Sequence, residues 1–202
     1  MPRMTPPRTI ATPLDPREVA SLRALRAVLV SAVFALLTSL SALVSIPLPP
    51  DQVPMTLQTL AVLCAALCIG PRLGTLSMLI YLAVGIVGGA VFAGGSKGFG
   101  VIAGQTGGYL VGFVLCQPVV GAIARRRDGS VRGWLALVCA VLAGNAVVFG
   151  LGVPWLGLVN GYTPARALEG GFYPFIPGLV IKGAAAVVIG RMAAPLASRR
   201  IW

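Results

Sequence analysis

The chain has 202 residues, of which 57% are hydrophobic and 10% are charged. A soluble domain carries about 25% charged residues, so this composition excludes a soluble globular protein and predicts one that is integral to a membrane. The net charge is +11, but the basic residues stand in short clusters between apolar runs, which argues against nucleic acid as a partner.

Residues 1–20 contain prolines and arginines but no long apolar run. A signal peptide needs an apolar core of about 7–15 residues, so none is predicted here. We expect a disordered cytoplasmic tail over residues 1–20, followed by a single membrane domain over residues 21–202.

Apolar segments that approach the length of a membrane helix, about 20 residues, recur through the rest of the chain. The predicted spans are residues 22–46, 55–69, 73–91, 105–124, 133–153 and 175–197. Pro71 falls between the second and the third, so one long interrupted hairpin is an alternative to these two spans.

The distribution of basic residues predicts the orientation of the spans. If the N-terminus is cytoplasmic, the arginines of the tail, the loops and the C-terminus fall on the cytoplasmic side, and only Lys97 and Arg166 fall in outer loops. The positive-inside rule then favours six spans with both termini in the cytoplasm.

The first predicted helix carries a small residue at every fourth position. These residues are Ala27, Ser31, Ala35 and Ser39. Such a stripe lets another helix approach closely, and two interpretations stay open: packing within the same bundle, or a docking face for another membrane subunit.

Once the arginines are assigned to the cytoplasmic side, Lys182 is the charged residue left inside a predicted span, about 10 Å below the outer end of the last helix. An ammonium group at that depth needs an anion or a wet cavity. Glu169, in the preceding loop, is the best internal candidate, but we expect the anion to arrive with a ligand; snorkelling of the lysine to the interface is the alternative. The spans hold no carboxylate and the chain no histidine, which argues against proton coupling and against an enzyme.

Further polar groups are expected at a similar depth, which predicts a pocket open to the outside. They are Thr56, Gln58, Gln105, Thr106, Tyr109, Asn145 and Asn160. The glycine-rich loop 92–100 could offer backbone groups to a ligand. It lacks the Gly-Lys-Ser/Thr of a P-loop, so any ATP-driven step needs another polypeptide. The four cysteines are interpreted as packing residues without a metal.

Four short motifs carry a family resemblance. They are Val53-Pro54-Met55-Thr56-Leu57-Gln58-Thr59-Leu60, Gly70-Pro71-Arg72-Leu73-Gly74, Val91-Phe92-Ala93-Gly94-Gly95, and Thr106-Gly107-Gly108-Tyr109-Leu110 with Gly112-Phe113. Together they resemble the BioY family, the biotin-binding S components of energy-coupling factor transporters.

The resemblance implies an all-α integral membrane protein with the six-helix S-component fold, in the bacterial cytoplasmic (inner) membrane. Its expected partners are biotin, a transmembrane T subunit, ATPase A subunits and membrane lipid, with a homo-oligomer as a further option; no cofactor or metal is expected. The stripe on the first helix resembles the docking face of S components. The candidate biotin-binding residues are Lys182, Gln58, Thr56, Gly94, Gly95, Ser96, Gly107, Tyr109, Asn145 and Asn160.

One position departs from the family pattern. Leu179 stands where the family has an aspartate in Pro-Gly-Asp-x-x-Lys, and we expect Leu179→Asp to tighten binding. The alternatives that the sequence leaves open are an S component for another small anionic vitamin, a structural membrane protein that transports nothing, and a self-contained channel.

Overall fold

The computed structural model describes residues 15–46, 53–126 and 128–201, with side chains described as far as residue 193. The regular secondary structure of the described part is helical apart from a small antiparallel pair of strands, in which Ser45 faces Thr56 and Ile46 faces Met55. The helices are α1 (Pro16–Leu43), α2 (Gln58–Ile86), α3 (Phe99–Ala103), α4 (Gly107–Ala124), α5 (Trp134–Asn160), α6 (Pro164–Gly171) and α7 (Ile176–Ile201), and the strands are β1 (Ser45–Ile46) and β2 (Met55–Thr56).

Within the described residues, 5 helical segments are long and apolar enough to cross a membrane. They are α1, α2, α4, α5 and the stretch Pro164–Ala193 that joins α6 to α7. The expected all-helical membrane architecture is therefore confirmed, while α6 is a short helix in a stretch for which the sequence predicted only a loop.

Helix α1 begins earlier than predicted, at Pro16 instead of Leu22. The Asp15 side chain accepts a hydrogen bond of 2.9 Å from the Arg17 backbone N–H, and Pro16 occupies a first-turn position where its missing N–H costs nothing. Residues 16–20, assigned to the tail from the sequence, are therefore helical, and residues 1–14 lie outside the described part.

Helix α2 is broken in its middle by Gly70. The Gly70 backbone has φ 81° and ψ 177°, a conformation that is open essentially to glycine alone. Pro71 follows at once and cannot donate a backbone hydrogen bond to the preceding turn. The break divides α2 into a first arm, residues 58–69, and a second arm, residues 71–86.

The two arms of α2 fold back on each other. The Gln58 Nε2 atom donates a hydrogen bond of 2.5 Å to the Tyr81 hydroxyl, although these residues would be about 35 Å apart in a straight helix. A Cβ placed on Gly74 would lie 3.4 Å from the Cα of Ala66. The element is therefore an antiparallel helical hairpin, the alternative that the sequence left open for the second and third spans.

Helices α4 and α5 approach so closely that side chains are excluded at their contact. A Cβ placed on Gly112 would lie 2.8 Å from the Cα of Val148, and one on Gly108 would meet the carbonyl oxygen of Leu151. This close pairing fixes where the first turn of α4 stands relative to the rest of the bundle.

The small-residue stripe of α1 faces its own bundle. Ser31 and Ala35 are buried, and the Ser31 Oγ atom donates a hydrogen bond of 3.1 Å to the carbonyl oxygen of Leu73 in α2. Ala27 packs beside them and Ser39 is partly buried. These contacts favour the interpretation that the stripe packs within the same bundle. The outward side of α1 carries large apolar residues: Leu25, Leu29, Val33, Leu36, Leu40 and Leu43.

The basic residues gather at one end of the bundle. A Cβ on Gly121 would lie 2.6 Å from Pro71, and one on Gly190 would lie 2.8 Å from Leu67. The turn of α2, the end of α4 and the C-terminal half of α7 therefore share one end, and Arg72, Arg125 and Arg191 share it with them. We call this the basic end.

Candidate functional site

A cavity opens between the free ends of the α2 hairpin, the start of α4 and the start of α7, at the end of the bundle away from the basic end. Its lining residues are Val53, Pro54, Thr56, Gln58, Thr59, Phe92, Ala93, Thr106, Tyr109, Leu110, Phe113, Phe149, Phe175 and Lys182. We call it the outer cavity. It brings residues from most of the chain to one place.

Lys182 carries the one charged side chain of this lining. Its side chain is 8% exposed, and its Nζ atom donates a hydrogen bond of 3.0 Å to the Thr56 carbonyl oxygen. The side chain leans toward the start of α7, as long helical side chains do, and lies over Gly178, whose added Cβ would be 3.3 Å from Lys182 Cε.

No acidic side chain pairs with Lys182 among residues 15–46, 53–126 and 128–193. Glu169, the internal candidate from the sequence, is 56% exposed and lies 3.5 Å from the guanidinium of Arg166. Asp51 lies outside the described residues. A buried ammonium that is balanced only by a carbonyl dipole is a strong site for a carboxylate.

Beside the lysine stands a network of hydroxyl and amide groups. The Thr56 Oγ1 atom donates a hydrogen bond of 3.0 Å to Gln58 Oε1, and the Gln58 amide donates to Tyr81 on the other arm. Thr59 Oγ1 is buried and makes no hydrogen bond within the described part of the chain. The network therefore holds Gln58 in a fixed orientation and leaves the Thr59 hydroxyl available to a ligand.

Aromatic rings form the opposite wall of the outer cavity. Tyr109 lies edge-on to Phe149 with ring centroids 5.8 Å apart, and stacks on Phe175 at 6.4 Å. The Tyr109 hydroxyl donates a hydrogen bond of 2.7 Å to the Gly171 carbonyl oxygen, which ties α4 to the end of α6. Phe92 lies edge-on to Tyr81 at 5.5 Å.

The lining suits a small molecule with one anionic end, a polar ring edge and an apolar body. The cavity volume is about 50 Å³, whereas small-molecule sites usually measure about 300–1,000 Å³. Aromatic side chains must therefore move apart when such a molecule enters.

The BioY family model matches residues 12–199 of this chain. The chain belongs to the BioY family. The match covers every helix that contributes to the outer cavity, so the resemblance carried by the short motifs is confirmed.

Relatives in the BioY family are similar over most of their length. The chain is 40% identical over 158 residues to the probable biotin transporter BioY of Pyrococcus horikoshii, covering 78% of this chain and 90% of that protein. It is 35% identical over 167 residues to the biotin transporter BioY of Thermotoga maritima, covering 82% of this chain and 94% of that protein. The biotin transporter BioY of Rhizobium etli is 33% identical over 172 residues, covering 82% of this chain and 91% of that protein.

A solved structure has the same fold. The crystal structure at 2.1 Å of the S-component for biotin from an ECF-type ABC transporter superposes with a TM-score of 0.76. The two sequences are 25% identical, and the match covers 89% of this chain and 93% of that one. The S-component architecture expected for a BioY family member is therefore present.

Of the ten candidate residues from the sequence, four line the outer cavity: Lys182, Gln58, Thr56 and Tyr109. The other six are not among its lining residues: Gly94, Gly95, Ser96, Gly107, Asn145 and Asn160. The four that line it come from the α2 motif of the BioY family, the start of α4 and the start of α7.

The glycine loop contributes through its first residues. Gly94 and Gly95 form a tight turn with φ values of 64° and 76°, and the Ser96 hydroxyl donates back to the Ala93 carbonyl oxygen at 2.8 Å. Phe92 and Ala93, just before this turn, supply the lining. Gly107 instead packs against the Ile102 backbone and Trp155.

The two asparagines of α5 do not line the outer cavity, and α5 is longer than predicted. It runs to Asn160 instead of ending at Val153, so Asn160 is helical and Asn145 stands about 22 Å from the end of the helix. Each amide donates to the carbonyl oxygen four residues earlier, Val141 or Leu156, at 3.0 Å. The predicted loop position of Asn160 is therefore wrong, while a part for Asn145 in binding stays a prediction.

Sequence reasoning missed several residues of the outer cavity. Thr59 stands inside the BioY motif, one residue after Gln58, and could have been found from that spacing. Gly178, four residues before Lys182, is not itself a lining residue, but it could have been found as the position over which the lysine lies. Phe149 and Phe175 carry no signal that separates them from ordinary core aromatics.

Leu179 does not line the outer cavity. It packs partly against the core and borders an apolar groove between α5 and α7, beside Val138 and Gly183. The expected tightening by Leu179→Asp stays a prediction, and an aspartate there would stand one helical turn before Lys182.

Proposed function

We propose that this protein captures biotin at the outer cavity and serves as the substrate-binding subunit of an energy-coupling factor transporter. The observation that carries the proposal is the buried Lys182 ammonium, which faces a small cavity without an acidic partner in the described residues. The relatives named biotin transporter and the solved S-component for biotin support the same ligand. The role is binding and transport, and no chemical reaction is assigned.

The chemistry of biotin matches the lining group by group. Its valerate carboxylate pairs with the Lys182 ammonium, in a charge-assisted hydrogen bond. Its ureido ring meets the Gln58 amide and the free Thr59 hydroxyl, and its apolar bicyclic body lies against Tyr109 and Phe175. Polar contacts fix the orientation, and the aromatic wall supplies most of the apolar burial.

The proposed setting is the bacterial cytoplasmic membrane, with six spans and both termini in the cytoplasm. The two arms of α2 count as separate spans in this topology, which gives six with α1, α4, α5 and α7. Energy for uptake comes from a T subunit and ATPase A subunits on other chains, because this chain lacks an ATP-binding motif.

Binding of labelled biotin to the purified full chain in neutral detergent tests the proposal. Lys182→Ala removes one charge-assisted hydrogen bond, worth about 1.5–3 kcal/mol, so the dissociation constant should rise about 10- to 100-fold. Lys97→Ala is the matched control, since Lys97 is exposed and does not line the cavity. Failure of the wild-type protein to bind biotin at micromolar concentration would contradict the proposal.

Competition separates biotin from other small anionic vitamins. Biotin methyl ester keeps the ring but loses the carboxylate charge, so it should compete more weakly than biotin with wild type and about equally with Lys182→Ala. If lipoate or another vitamin displaces the label better than biotin does, the site is assigned to that vitamin instead.

A further inference from the structure

A second cavity lies at the basic end, opposite the outer cavity. Its volume is about 610 Å³, within the usual range of small-molecule sites. The lining residues are Pro71, Arg72, Gly121, Ala122, Arg125, Arg126, Asp128, Gly129 and Arg132. We call it the arginine cavity, because four guanidinium groups line it.

Arg125 is the most buried of the four, with 6% of its side chain exposed. Its Nη2 atom donates to the carbonyl oxygens of Leu67 at 2.8 Å and Cys68 at 2.6 Å, and its Nη1 atom donates to Gly129 at 3.0 Å. Its Nε atom is buried and has no hydrogen-bond partner in the described residues. Every partner is an uncharged carbonyl, so the charge of Arg125 is not neutralised.

The charges around the arginine cavity do not balance. Asp128 is the one carboxylate of the lining, and it accepts hydrogen bonds from the backbone N–H of Ser130 at 2.9 Å and from its hydroxyl at 2.7 Å. No salt bridge joins Asp128 to a lining arginine within the described residues. Four cations against one occupied carboxylate leave the cavity strongly positive.

We propose that the arginine cavity binds the phosphate of an anionic phospholipid headgroup. Guanidinium groups present a planar set of donors that matches phosphate oxygens. The cavity stands where membrane helices end, beside the turn of α2 and the end of α4, so a headgroup reaches it without leaving the lipid layer. The cytoplasmic leaflet is rich in anionic lipid and attracts basic clusters at such positions.

The positive-inside rule accounts for arginines at this end of the bundle, but not for their arrangement. A rule about loop charge is satisfied by exposed side chains in any geometry. Here a buried arginine with an unpartnered Nε and three further arginines line a single concave space. Free phosphate shares this chemistry, and the experiment must separate it from the lipid.

Titration of the purified full chain with lipid tests the inference, with the unfolding temperature as the readout. The protein is held in neutral detergent micelles that contain rising mole fractions of phosphatidylglycerol or, separately, phosphatidylcholine. Phosphatidylglycerol should raise the unfolding temperature saturably and phosphatidylcholine should not. Arg72→Gln and Arg126→Gln should each raise the half-saturating mole fraction about fivefold, since each basic residue near a membrane surface contributes about 1 kcal/mol.

Arg191→Gln is the matched control. Arg191 is exposed and lies in the half of α7 that reaches the basic end, but it does not line the arginine cavity. It should leave the half-saturating fraction unchanged. If Arg191→Gln has an equal effect, the lipid responds to the overall surface charge and the proposed site is wrong. Absence of a saturable effect of phosphatidylglycerol would overturn it as well.

Inorganic phosphate forms the second arm of the experiment. If millimolar phosphate in lipid-free detergent reproduces the full shift, the site belongs to a soluble anion and the lipid assignment fails. Biotin binding is measured on the same variants and should stay at the wild-type level, so loss of the lipid effect is distinguishable from failure of the proposed transport function.

Discussion

Lys182 can keep its hydrogen bond to the Thr56 carbonyl oxygen when an anion binds. A lysine ammonium carries three donors, and the Thr56 carbonyl oxygen occupies one of them. The remaining donors can meet a carboxylate while the first bond keeps the side chain aimed into the outer cavity. The main chain of β2 thus orients the cation, and the ligand completes its coordination.

Gly178 controls where that lysine lies. A Cβ at this position would stand 3.2 Å from the Met55 sulfur and 3.3 Å from Lys182 Cε, closer than side chains usually pack. We expect Gly178→Ala to displace the lysine from the Thr56 carbonyl and to weaken biotin binding about tenfold, equivalent to about 1.4 kcal/mol. Equilibrium binding of labelled biotin measures the change.

Gly150→Ala provides the comparison for that variant. Gly150 is also in a helix, and a Cβ there would meet nothing within 4 Å, so binding should match the wild type. Equal binding by both variants would show that the position of the lysine does not depend on Gly178.

At the scale of the elements, the α2 hairpin sets the geometry of both cavities. Gln58 and Tyr81 belong to different arms and meet at the open end, beside the outer cavity. At the closed end, Leu67 and Cys68 present their carbonyl oxygens to Arg125, because the break at Gly70 leaves those oxygens without a following helical turn. Arg125 therefore caps the first arm.

The turn of this hairpin depends on Gly70. Its φ of 81° with ψ of 177° is strained for any residue that carries a Cβ, at a cost of about 1–3 kcal/mol. Gly70→Ala should therefore lower the unfolding temperature of the protein in detergent, as followed by tryptophan fluorescence. Gly133→Ala is the control, since Gly133 has φ −67° and open space around it; an equal loss in both variants would contradict the role of the turn.

At the scale of the whole molecule, the two ends differ in charge. Arg72, Arg125, Arg126 and Arg132 line the basic end, whereas Lys97 and Arg166 stand near the other end. By the positive-inside rule, this difference predicts an orientation with the arginine cavity on the cytoplasmic side and the outer cavity on the outside.

Labelling of single cysteines in intact cells tests this orientation, in a background with the native cysteines replaced. Lys97→Cys should react with a membrane-impermeant maleimide added outside. Asp128→Cys should react only after the membrane is permeabilised. Both positions are exposed, so a reversed pattern would invert the topology, and equal labelling of both without permeabilisation would rule out opposite sides.

The sequence predicts the bundle well because the bilayer leaves few choices. Long apolar runs must be helices there, so the spans could be placed from composition, and the BioY motifs located Lys182, Gln58, Thr56 and Tyr109. The outcome for Asn160 shows where such reasoning fails. The sequence predicts a loop at this position, because the apolar pattern around Pro154 does not reveal that α5 continues to Asn160.

Contacts between distant segments could not be predicted from the sequence. The stripe with Ser31 and Ala35 signals close approach, but only the fold decides that α2 is what approaches. In the same way, the unpartnered hydroxyl of Thr59 and the aromatic wall of Phe149 and Phe175 depend on which helices become neighbours.

The backbone contact between α4 and α5 limits which substitutions this protein can tolerate. Where the Gly112 backbone touches Val148, even one extra methyl group forces two helices apart, so random mutagenesis should recover almost no substitutions there. The outward sides of α1 and α5 should tolerate almost any apolar replacement. In a mutant library selected for growth on limiting biotin, the positions that tolerate no substitution should then follow the contact between α4 and α5.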